Sequence, residues 1–155
     1  MGFYRKEIIG EDYLQHARTN KLSGKLLAKL SKLSIFKKNV ILLGNLIDFY
    51  LYTPVNQLDI TKPASRAALK AQMAAVTQYA DSKVSTSSDE PVQQLYSIIN
   101  HFLERATDRK LVNNPQEAKL ILKIIIDSIP SLTPDEKKAI RLVVQHEFRA
   151  RLLEV

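Results

Sequence analysis

The chain contains no cysteine. That rules out disulfides, thiolate zinc sites and a cysteine nucleophile, and it fits a reducing compartment. Glycine and proline are scarce, at four and six in 155 residues. A turn-rich β-fold would need many more. The glycines stand singly at Gly2, Gly10, Gly24 and Gly44, so no Gly-rich phosphate loop exists. No G-x-S-x-G nucleophile elbow occurs either.

Long uninterrupted apolar runs are also missing. The longest apolar region, Val40 to Leu58, carries Asn45 and Asp48 near its middle. An ionised Asp inside a bilayer costs several kcal/mol, so no transmembrane segment is expected. At the N-terminus Arg5, Lys6 and Glu7 stand where a secretory signal needs an apolar stretch. Lys6, in place of Ser or Thr, argues against myristoylation at Gly2. The expected location is cytoplasmic.

Histidine is sparse: His16, His101 and His146. None stands in a His-Glu-x-x-His zinc motif or a Glu-x-x-His di-iron motif. His101 precedes Glu104 by three residues, so the two can share a helix face, whereas His146 and its neighbour Glu147 diverge by ~100°. Asp48, on a mostly apolar segment, is the one carboxylate whose pattern suggests burial, where it would pair with a lysine or cap a neighbouring helix. The expectation is no catalytic centre, no metal and no cofactor.

What the sequence has in plenty is apolar residues at helical spacing. Forty-five per cent hydrophobic residues suffice for a real core. The patterning predicts one all-α domain over residues 1–155, a compact bundle or array of six to seven helices. The first spans about Phe3 to Ala17. The second is a Lys/Leu helix within 21–38, broken near Phe36 to Asn39. The third, about Val40 to Tyr52, has a run (VILLGNLIDFYLY) that would also suit a buried strand, but no second strand is visible to pair with it. Pro63, Pro91, Pro115 and Pro134 each sit where a first helical residue would. Asn114-Pro115-Gln116-Glu117 and Thr133-Pro134-Asp135-Glu136 both read as capping boxes. The fourth helix, about Pro63 to Val84, is alanine-rich, which would permit close helix approach. The fifth, about Pro91 to Arg109, has a single apolar face from Val92 to Ala106. A polar stretch around 85–90 is expected to be a flexible loop.

The sixth helix, about Pro115 to Ile129, confines its polar residues Gln116, Lys119, Lys123 and Asp127 to one narrow stripe. The third and sixth helices are apolar over most of their circumference, as central helices are. They are expected to be the most buried, and one of them could face a partner chain.

Charge is distributed unevenly. Residues 1–38 hold nine Lys/Arg against three Asp/Glu, whereas 39–155 hold fourteen against thirteen. Leu22, Leu26, Leu30 and Leu33 form a stripe, with Lys21, Lys25, Lys29 and Lys32 one residue earlier. With Lys37 and Lys38, these lysines are candidate contacts for an anionic partner. The helix lacks arginine for base reading, interleaved aromatics for base stacking and tryptophan for a membrane interface, though Ile35 and Phe36 extend the end of its apolar stripe. The preferred reading is a small adaptor or assembly subunit that docks a protein partner, or a second copy, through apolar helical surfaces. The alternative is a binder of nucleic acid or an acidic membrane surface through the Lys-rich helix.

Overall fold

Proline at a helix start has its φ already fixed and loses no needed N–H. All four expected proline starts are realised in the computed structural model, which describes residues 24–81 and 91–152. The described residues form six α-helices and no strand: α1 Gly24–Leu30, α2 Lys37–Tyr52, α3 Pro63–Asp81, α4 Pro91–Asp108, α5 Pro115–Asp127 and α6 Pro134–Leu152. A short 3-10 helix, Pro54–Gln57, follows α2. The expected helix over Phe3–Ala17, Lys21, His16 and the 85–90 loop lie outside the described residues.

Both capping boxes form. The Glu117 N–H donates to Asn114 Oδ1 at 3.0 Å, and the Glu136 N–H donates to Thr133 Oγ1 at 3.1 Å. Glu136 reaches back to the Thr133 N–H at 2.9 Å. Glu117 reaches one residue further back, to the Asn113 N–H at 3.0 Å. The end of α4 is closed by a left-handed residue, Lys110, at φ 57°. The Leu111 N–H bonds Ala106 O at 2.9 Å and the Lys110 N–H bonds Thr107 O at 3.0 Å. This is the Schellman pattern, normally built on glycine. A lysine there carries roughly 1 kcal/mol of strain.

The segment VILLGNLIDFYLY is helical. As α2 it packs against α3, α4 and α5, and all its residues but Ile41, Asn45 and Tyr52 are buried from Asn39 onward. Gly44 lets it approach α4: a Cβ there would meet the Ile98 Cδ1 at 3.2 Å. Three sequence expectations need correction. First, α4 is at least as central as α5. It buries Gln94 through Leu103 without a break, because Gln94, Ser97, Asn100 and His101 go inside with the apolar face. The Ser97 hydroxyl and the Asn100 amide donate to carbonyls one turn back, at 2.9 Å each. Second, the alanines of α3 do not mediate close packing. Ala64, Ala67, Ala68, Ala71, Ala74 and Ala75 are exposed, while Leu69, Met73 and Val76 face the core. Third, the Lys/Leu helix does not run on to Phe36. It ends at Leu30, and a turn over Ser31–Phe36 precedes α2.

Candidate functional site

Of the six candidate lysines, the five that are described are not aligned on one helix. Lys25 and Lys29 lie on α1, Lys32 in the following turn, and Lys37 and Lys38 open α2. Lys25, Lys29, Lys32 and Lys38 are exposed and Lys37 is half-buried. The leucines beside them face inward. Leu26 and Leu30 are buried, and α1 packs on α6. Leu26 and Leu30 are therefore spent on the protein's own core, with Lys25 and Lys29 left in water as amphipathic helices arrange them.

The buried carboxylate Asp48 meets a histidine of a neighbouring helix. Its Oδ1 lies 2.9 Å from His101 Nε2, a contact between α2 and α4 with both residues about 2% exposed. Tyr52 adds a tilted ring 6.4 Å from His101, and the Arg109 guanidinium sits 5.2 Å above the Tyr52 ring. A cross-helix polar pair of this kind fixes how two central helices sit against each other. The other described histidine, His146, reaches Glu147 at 3.7 Å, because long side chains bridge the expected divergence. No group of three or more His, Asp or Glu that could hold a metal occurs among the described residues.

A second buried polar seam joins the α1–α2 turn to α6. Glu136, 2% exposed, accepts from the Phe36 N–H at 2.8 Å and from Asn39 Nδ2 at 2.7 Å, besides the Thr133 N–H of its own capping box. The Ser131 hydroxyl donates to Asn39 Oδ1 at 2.7 Å. Phe36 caps α2 without a side-chain bond of its own, and the first turn of α2 has no acid. Glu136 supplies both, since its carboxylate lies at the N-termini of α2 and α6 together. The void beside it holds only about 10 Å³, room for one water at most. This seam is structural.

A sizeable cavity with mixed chemistry among the described residues is a groove of about 330 Å³ between α5 and α6. The helices are joined by Ser128–Thr133, and Lys119 near the start of α5 lies 5.0 Å above the Phe148 ring near the end of α6. They are therefore antiparallel. The groove floor is aliphatic: half-buried Ile126 and Val144 over buried Leu122 and Ile140. Its walls carry Lys119 and Lys123 from α5, and Lys137 and Arg141 from α6, with Asp127 and Gln145 completing the lining. Four cations thus stand against one carboxylate, and among the described residues none of the four is held in an ion pair. The α5 wall is the narrow polar stripe visible in the sequence. The α6 wall was missed there, although Lys137, Arg141 and Gln145 recur at i, i+4 and i+8.

No protein family, curated protein or solved structure matches the chain. No helix among the described residues is long and apolar enough to cross a membrane.

Proposed function

We propose that this protein is a binding or adaptor protein that docks a partner protein in the α5–α6 groove. The observation that carries this reading is the groove itself, an aliphatic floor open to solvent between two cationic walls. Of the two helices apolar over most of their circumference, α5 presents half-exposed Ile126 to this groove, beside half-exposed Val144 of α6. An interface with an apolar centre and a charged rim is the usual anatomy of protein recognition. Self-association through this face is disfavoured, because a second copy would set cation against cation.

The test combines analytical ultracentrifugation with affinity purification of the wild type and of Ile126→Glu/Val144→Glu. The wild type should recover a specific partner that the variant loses, with both melting alike. A strict monomer that recovers no specific partner, or a partner held equally by the variant, would overturn the reading.

The exposure of Lys25, Lys29, Lys32 and Lys38 supports a second reading, a binder of nucleic acid or an acidic membrane surface. In that case binding falls steeply with salt and is lost when these lysines are reversed.

A further inference from the structure

We infer that the occupant of the α5–α6 groove is an acidic amphipathic helix from a partner protein, an inference that rests on the docking function proposed above. Three features of the groove select it. The first is length. The lining runs from Lys119 to Asp127 on α5 and from Lys137 to Gln145 on α6. At 1.5 Å per residue each wall is ~12 Å long, the span of about two helical turns. The second is the floor. Ile126 and Val144 offer aliphatic contact with no aromatic ring, which suits Leu or Ile side chains at i, i+3 or i+4, and i+7. Nucleic-acid bases would find no stacking platform on it. The third is the pairing of charges across the groove. Lys119 and Lys123 stand on one side and Lys137 and Arg141 on the other, so a helix seated on the floor meets cations on both flanks. Glu or Asp on both edges of its apolar stripe answers them. A helix laid there also adds a further member to the helical array and covers the half-exposed part of α5.

Asp127 tunes the orientation. On the α5 wall it lies beyond Lys119 and Lys123, at the end where the antiparallel α6 brings Lys137, and it repels an acid placed on its own side of the groove. The occupant's acids therefore fall toward the Lys119–Lys123 end of the α5 wall.

The probe is a 16-residue, end-capped, alanine-based helical peptide with leucines at i, i+4, i+7 and i+11 and glutamates on both edges of that stripe. Fluorescence anisotropy with the full-length chain should show saturable binding in the micromolar range. A peptide of the same composition with the leucine period destroyed, and one with Lys for every Glu, should each bind at least tenfold more weakly. Lys123→Glu/Arg141→Glu, both at exposed positions, should lose at least tenfold with an unchanged melting temperature. Equal binding of the scrambled peptide, or of the doubly reversed variant, would overturn the inference. So would binding confined to a poly-dT 20-mer or to vesicles of phosphatidylcholine with phosphatidylserine.

A photo-crosslinking residue at position 126 separates this inference from the broader function. Its crosslinked peptide is identified by mass spectrometry in native lysate. An acid-flanked amphipathic segment supports the inference. A partner segment of other chemistry sinks the inference and leaves the docking function standing. No crosslink together with no peptide binding sinks both.

Discussion

Tyr50 shows what burial does to one polar group. Its ring packs against Phe102 with centroids 6.0 Å apart and planes tilted by 54°, and only 2% of the residue is exposed. Burial, with the Glu117 carboxylate adding to it, pushes the phenol up from 10.0 to about 12. The unfolded chain therefore releases this proton first. Between pH 10 and 12 the folded state holds more protons than the unfolded one, so stability falls as pH rises. The loss should reach about 1.4 kcal/mol by pH 11 and approach roughly 2.7 kcal/mol above pH 12. Urea unfolding of wild type and Tyr50→Phe at pH 8 and 11 isolates this contribution, because the lysines titrate in both. Tyr50→Phe should lose less stability by that same margin, and identical alkaline losses would refute the burial argument. Asp59 shifts the opposite way. Hydrogen bonds from the Thr61 hydroxyl and then the Thr61 N–H hold its carboxyl below the usual range. Its contribution is present above the ordinary carboxylate pKa and disappears as pH falls through the lowered one.

Among the elements, helix ends divide what was legible in the sequence from what was not. The four prolines and two capping boxes announced where α3, α4, α5 and α6 begin, because a cap is a contact within four residues. The start of α2 gave no such signal. It opens with Phe36, Lys37 and Lys38, a poor cap followed by two cations at the positive end of the dipole. Its cap is Glu136, 100 residues away from Phe36. The Asp48–His101 pair spans 53 residues and was hidden for the same reason. Periodicity reports which face of a helix is apolar. It cannot report which helix that face meets, nor that an alanine face such as that of α3 stays in water. Glu136→Ala should cost about 3 kcal/mol or more, since it leaves the buried Asn39 amide and two helix-start N–H groups without their charged acceptor. Asp135→Ala removes only the exposed bond from the Ser34 N–H at 3.0 Å and should cost under about 1 kcal/mol. Equal destabilisation in denaturant titrations of the two variants would show that Glu136 does not tie the helices together.

For the whole molecule, two cationic surfaces among the described residues, the α1 lysines and the groove walls, should act differently on a partner. Lys25, Lys29 and Lys32 lie on α1 and the turn after it, and are not among the residues that line the groove. At physiological salt their field decays over ~8 Å, so they influence an approaching acidic helix more than a seated one. Lys123 and Arg141 flank the floor and act on the seated helix. Reversing Lys25, Lys29 and Lys32 to Glu takes the net charge from +7 to +1, because each reversal removes two units. Stopped-flow binding of the acidic peptide at low salt should then show an association rate several-fold slower, with the dissociation rate within about twofold of wild type. At ~0.5 M salt the two association rates should converge as screening removes the long-range contribution. Lys123→Glu/Arg141→Glu should instead raise the dissociation rate, and the difference should persist at high salt. If reversing the α1 lysines abolished binding at every salt concentration, the contact surface would be the N-terminal lysine cluster, and the α5–α6 groove would lose its claim to the partner.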